Sequence, residues 1–297
     1  GLIVSILWMT SLRPIGKSIE NDEIQNLFVE SLRNLKAEMT LSLTQFDDEG
    51  VKEYVEKQNI KNYFVNFEKK KLPDGNKYSN KIMLENAIDQ YLKNDFEYFV
   101  YSTADILVPK TIFQSIEKIK KKEGASKDFC ALIYPNILKK NQTIESETTP
   151  HYGIDLFVFK ISKNKILKLK EAIKSWDQFD WGINDNFYVS VCEMLDLPIY
   201  NIYRDNKLIK IENDFKTIKE DRTWQTTSWK KNQKFFINFL SKNNLPLLYA
   251  YGSYYYLLIK IFRFSDFNFN LFIVYFKFYI KTPLHIIKKV LKILSKK

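Results

Sequence analysis

FEYFVYSTADILVP, residues 96–109, is the stretch from which the rest of the chain is read. Its first half, residues 98–101, is an aromatic and aliphatic run of strand length, closed by the small polar Ser102 and Thr103. That composition suits an inner strand of a buried sheet. Just past its carboxyl end stands Asp105, and Pro109 then leads into a helical pattern over residues 111–121. Ligands of open α/β sheets bind outside the carboxyl ends of the strands, so an acid at this point is placed to hold a metal ion. Capping of the following helix is the competing reading of the same residue.

Working back from this strand, residues 78–93 carry Ile82, Leu84, Ala87, Ile88, Tyr91 and Leu92 at helical spacing. Before them come a strand over 63–67, a helix over 49–58 and an alternating strand over 39–46 that ends at Asp47 and Asp48. Asn21 or Asp22 caps an earlier helix with Ile24, Leu27, Phe28, Leu32 and Leu35 on one face. The apolar residues 2–9, LIVSILWM, lack a basic leader and read as a first strand rather than a signal peptide. Strands alternating with helices predict a mostly parallel, Rossmann-like sheet covered on both sides. No GxGxxG follows the first strand and no GxxxxGK[ST] occurs, which argues against a dinucleotide oxidoreductase or a P-loop ATPase.

Past the central strand, residues 128–134 and 152–159 read as strands flanking a polar loop at 139–150. A lysine-rich helix (162–174), a Trp-rich loop (175–182), a helix (183–195) and a strand (198–203) follow. From residue 249 the chain turns aromatic and basic, but Lys260, Arg263, Asp266 and Lys277 interrupt every apolar run before it reaches the roughly 20 residues of a membrane span. Residues 283–297 set Leu284, Ile287, Val290, Leu291 and Leu294 against five lysines, the pattern of a basic amphipathic helix. Two units are expected, 1–229 as the α/β domain and 230–297 as a helical extension serving as a membrane-surface or packing module.

The formal charge of +11 over 297 residues, with a pI near 9.2, points to an anionic partner: a phosphate-bearing substrate, nucleic acid or an acidic membrane. The two cysteines, Cys130 and Cys192, lie in apolar segments and read as buried reduced thiols in a cytosolic protein.

In its order of elements the chain resembles the GT-A glycosyltransferases, the nucleotide-diphospho-sugar transferase superfamily, of the bacterial or viral surface-glycan type. The resemblance rests on YSNKIMLENAIDQYLKNDFEYFVYSTADI, with its Asn-bearing helix, strand and Asp-containing motif, on HYGIDLFVFK, and on WGINDNFYV, and it covers about residues 1–205. It implies a mixed, mostly parallel α/β sheet flanked by helices, and an enzyme moving a sugar from a nucleotide-sugar donor to a glycan or lipid-linked acceptor. The family's Asp-x-Asp stands here as Thr103-Ala104-Asp105, so one carboxylate is absent.

The resemblance implies that Asp105 bridges Mn²⁺ or Mg²⁺ to the donor diphosphate. The donor would meet Thr10, Arg13, Asp47, Asp48, Lys81, Asn86 and Thr103, with plain solvation the alternative for Asp47, Asp48 and Lys81. An acceptor hydroxyl needs a base, for which Asp185 and Asp155 are the candidates and could exchange roles. Asp155, set in an apolar strand, is costly to bury unpaired and is assigned to acceptor binding. Capping of the 183–195 helix competes for Asp185, and a retaining enzyme would need no such base. Trp176, Phe179 and Trp181 would stack on a sugar or else belong to the core. The C-terminal tract favours an anionic membrane surface over nucleic acid, giving a peripheral enzyme at the inner face of a membrane. A non-catalytic scaffold with the same fold is the alternative, and a nucleotidyltransferase a third.

Overall fold

The computed structural model describes residues 5–35, 37–67, 80–139, 148–151, 153–176, 184–203, 205–211 and 227–251. In chain order its first half runs β1 (Ser5–Thr10), α1 (Ile19–Arg33), β2 (Glu38–Thr44), α2 (Val51–Lys57), β3 (Tyr63–Asn66), α3 (Asn80–Lys93) and β4 (Tyr98–Ser102). The second half contributes β5 (Ile106–Leu107), α4 (Ile112–Glu123), β6 (Phe129–Ile133), β7 (Asn136–Leu138), β8 (Thr149–Pro150) and β9 (Leu156–Lys160). It continues with α5 (Lys163–Ile173), α6 (Asn184–Met194), β10 (Ile199–Asn201), β11 (Ile209–Ile211) and α7 (Thr227–Lys242).

Seven strands form the main sheet in the order β3-β2-β1-β4-β9-β6-β10. β9 runs antiparallel to β4 and β6 while the other neighbours pair in parallel, so the sheet is mixed and mostly parallel, as expected. Alternation along each strand splits its side chains between the two faces. Leu7, Met9, Phe99 and Tyr101 face Leu84, Ile88, Phe187 and Tyr188 on one side. Ile6, Trp8, Tyr98 and Val100 meet Phe28, Val29, Ile112 and Ile116 on the other. Coverage of both faces is why β1 and β4 read as continuous apolar runs rather than alternating ones.

Four details depart from the sequence reading. α1 starts at Ile19, not at Asn21 or Asp22, because the Ser18 hydroxyl accepts the Asn21 N–H and caps the helix, leaving Glu20 and Asp22 in its first turn, where the helix dipole favours acids. Leu27 lies off the buried face of that helix, at 39% exposure. α4 has Thr111 at its cap position, so capping is not the role of Asp105. The short strands β5, β11, β7 and β8 pair, in that order, into a second sheet that no hydrophobic pattern announced.

α7 runs without a break through residues 229 and 230, the expected boundary between units. Its Phe236, Phe239 and Leu240 are buried in the same core as Phe187. Residues 252–297, which hold most of the aromatic-basic tract and the whole amphipathic stretch, lie outside the described residues. Among the described residues no helix is long and apolar enough to cross a membrane. Cys130 and Cys192 are free and buried.

Candidate active site

β1 has β2 on one side and β4 on the other, so the chain order reverses there and a crevice opens at the carboxyl ends of β1 and β4. Two buried glutamines fix its walls. Gln45 accepts the Leu12 N–H at 2.7 Å and donates to the Leu12 carbonyl at 3.0 Å, gripping the loop after β1. Its amide also donates to Glu49 at 2.7 Å, and the same Glu49 oxygen takes the Phe46 N–H. Gln25, on α1, accepts the Arg13 N–H at 3.0 Å and donates to the Ala104 carbonyl at 2.9 Å, joining the loop after β1 to the loop after β4.

With those loops set, the Arg13 guanidinium lies 3.2 Å from Oδ2 of Asp105. The carbonyl of Asp105 accepts the Ile211 N–H at 2.9 Å, and β11 pairs antiparallel with β5 just beyond it. This register delivers Lys210, whose Nζ lies 2.7 Å from Oδ1 of Asp155 and 3.8 Å from Oδ1 of Asp105. Asp155 precedes β9, and Thr103 holds it twice, by N–H to its carbonyl at 3.1 Å and by hydroxyl to Oδ1 at 3.4 Å. Burial works to raise the Asp105 carboxyl, but the charges of Lys210 and Arg13 outweigh it and leave it below the ordinary carboxylate range. For the Lys210 ammonium burial pulls the other way, yet Asp105 and Asp155 carry its pKa above the ordinary lysine value.

Asp185 sits in the first turn of α6, where Oδ2 accepts the Ile154 N–H at 3.0 Å. Burial and then the Asp155 charge push its pKa up to about 7, against the Ile154 N–H and Lys210, which pull it down. Gly153 makes room for the neighbouring His151 ring, whose Nδ1 accepts its N–H at 3.0 Å: a Cβ there would lie 2.9 Å from Cε1 of His151. The structure therefore brings Arg13, Thr103, Asp105, Asp155 and Asp185 into one cluster. Oδ1 of Asp105 and Oδ2 of Asp155 are buried and accept no hydrogen bond, and the Lys210 ammonium faces the first of them at 3.8 Å.

The other expected contacts fall elsewhere. Thr10 is fully buried and its hydroxyl donates to the Ser102 carbonyl at 2.9 Å, tying β1 to β4. Asn86 lies at the end of β2, 3.4 Å from the Thr44 hydroxyl. Asp47 and Asp48 are exposed on the 3-10 turn Asp47–Glu49, facing solvent. Lys81 donates to the carbonyls of Trp176 and Lys174 and pairs with Glu85 at 3.4 Å, so it ties down the end of α5. Trp176 is 2% exposed between Phe187, Phe236 and Phe239; α7 closes over it and leaves no ring face for a sugar, so it is a core residue. Phe179 and Trp181 lie outside the described residues. A cavity of about 640 Å³ lined by Lys168, Lys174, Met194 and Lys242 shares no residue with the carboxylate cluster.

A divalent metal does not fit this donor set. Among the described residues no three His, Cys, Asp or Glu side chains converge on one point. The approaches to Asp105 and Asp155 are taken by the Arg13 and Lys210 cations.

The sequence reading missed Lys210, Gln25 and Gln45. Their signals were present: a lysine in the middle of an Ile-Lys-Ile strand, and amides among apolar neighbours at the end of β2 and on the inner face of α1. Buried polar groups demand partners, and these find theirs in the loops of the crevice.

No family model and no curated protein matches the sequence. Among solved structures, residues 1–349 of TarS from S. aureus, in complex with UDP-GlcNAc, match with a TM-score of 0.54 at 11% identity, over 88% of this chain and 74% of that one. A 4-diphosphocytidyl-2C-methyl-D-erythritol synthase from Anaerococcus prevotii matches at 11% identity with a TM-score of 0.44, over 75% of this chain and 97% of that one. An inositol-1-phosphate CTP transferase from T. maritima matches at 11% identity with a TM-score of 0.41, over 78% and 96%. The sheet order and the first of these superpositions give the chain a nucleotide-diphospho-sugar transferase fold of the GT-A type.

Proposed function

We propose that the chain is a glycosyltransferase that moves a sugar from a nucleotide-sugar donor to a hydroxyl of a glycan or lipid-linked acceptor with inversion at the anomeric carbon. The observation that carries this reading is the division of labour between neighbouring acids: Asp155 is paired with Lys210, while Asp185 is held near pKa 7. Separated environments of this kind mark an acid–base pair, and a base near neutrality matches the operating pH. Asp185 takes the proton of the acceptor hydroxyl as its oxygen attacks the anomeric carbon. The bond from that carbon to the diphosphate oxygen breaks, and the nucleoside diphosphate leaves with the electron pair.

TarS was solved with UDP-GlcNAc, which makes uridine diphosphate sugars the first donors to try. The basic amphipathic residues 283–297 would hold the enzyme at an anionic membrane face, near a surface-glycan acceptor. The test is release of nucleoside diphosphate from a panel of UDP-, GDP-, CDP- and dTDP-sugars in the presence of sugar acceptors. Release from one donor class, lost in Asp185→Asn, is the expected result. Pyrophosphate release from a nucleoside triphosphate and a sugar phosphate would overturn it in favour of nucleotidyl transfer.

A further inference from the structure

We infer that the cation meeting the donor diphosphate in this site is the side chain of Lys210, held between Asp105 and Asp155, in place of a divalent metal on Asp105. The inference deepens the transferase reading and rests on it.

A departing diphosphate needs its growing charge neutralised, and a fixed ammonium can do this as a point charge. Lys210 is placed by backbone and not by chance contact. β11 is bonded on one side to β5 and on the other to β7, and the Ile211 N–H is bonded to the carbonyl of Asp105 itself. Its Nζ lies 2.7 Å from Asp155 and 3.8 Å from Asp105, and the side chain keeps 25% exposure. Arg13 adds a second positive group on the opposite side of Asp105, at 3.2 Å and with 20% exposure. Two cations offset the two acids Asp105 and Asp155, and the Lys210 ammonium stands among them as a fixed point charge for a diphosphate to meet. Thr103 stands at the position of the first acid of the Asp-x-Asp pattern, and its hydroxyl lies 3.4 Å from Oδ1 of Asp155.

The experiment is calorimetric titration of the full chain with UDP, GDP, CDP and dTDP, in EDTA and again in excess Mn²⁺. One nucleotide should bind in EDTA with a Kd within about twofold of its value in Mn²⁺. Lys210→Gln should weaken that Kd about ten- to a hundredfold, the loss of one charge-assisted contact, while Lys210→Arg keeps most of the affinity. Binding seen only with Mn²⁺, or undiminished in Lys210→Gln, overturns the inference and leaves the transferase reading standing. Binding of no nucleoside diphosphate in either condition removes the transferase reading and the inference together. Should Lys210→Gln not fold, the free Mn²⁺ signal in electron paramagnetic resonance decides. The wild-type chain should leave that signal unchanged, and a loss of signal abolished by Asp105→Asn would overturn the inference.

Discussion

The guanidinium of Arg13, three residues beyond Thr10 at the end of β1, lies 3.2 Å from the carboxylate of Asp105, on the loop after β4. The pair spans the crevice where the strand order reverses, and both side chains are mostly shielded, at 20% and 15% exposure. Arg13→Met should destabilise the fold by about 1–3 kcal/mol by leaving Asp105 less well paired. Because the Asp105 carboxyl is held below its ordinary range, its contribution is present above about pH 4 and is lost as pH falls below it. Urea midpoints of the two proteins should therefore differ at neutral pH and converge in acid.

Asp185 predicts the opposite sign. Its carboxyl titrates near 7 in the folded chain against about 4 when unfolded, so the folded state holds the extra proton between those values. Stability from this group falls as pH rises from about 4 to 7. Asp185→Asn should flatten that part of the stability profile. In an assay of sugar transfer, kcat/KM should climb with pH through about 7 in the wild type, and the substitution should lower it by about 10²–10⁴.

Gln45→Leu tests the grip on the first loop. It leaves the Leu12 N–H and carbonyl without their Gln45 partner and removes one of the donors to Glu49, at a cost of about 2–4 kcal/mol. Chemical denaturation measures the loss, and an unchanged midpoint would show that the loop is held by something else.

Trp176→Ala distinguishes a core residue from a sugar platform. Packed among Phe187, Phe236 and Phe239, the ring should cost about 3–5 kcal/mol on removal. A ring serving an acceptor would instead leave the melting temperature nearly unchanged and raise KM.

The central strand, Asp105 beyond it and the alternation of helices with strands were legible because buried parallel strands are written as apolar runs and helices as a 3.6-residue period. Asp155 was legible as an acid embedded in an apolar strand, and Asp185 as an acid at a helix start beside an aromatic loop. Lys210 was not: β11 has three residues, too few for any period, and its meaning comes from pairing with β5 across a long sequence separation. Trp176 was misplaced because an aromatic beside a loop looks the same in sequence whether a later helix covers it or not; α7 covers it.

The bond between β5 and β11 also orders events during synthesis. Every strand of the seven-stranded sheet has been made by residue 201, before Lys210 leaves the ribosome. A nascent chain halted between them could assemble its sheet and still hold Asp105 and Asp155 side by side without their ammonium. Self-repulsion of those two acids would keep the crevice loose until β11 arrives, so the site is sealed only after the seven-stranded sheet has been made.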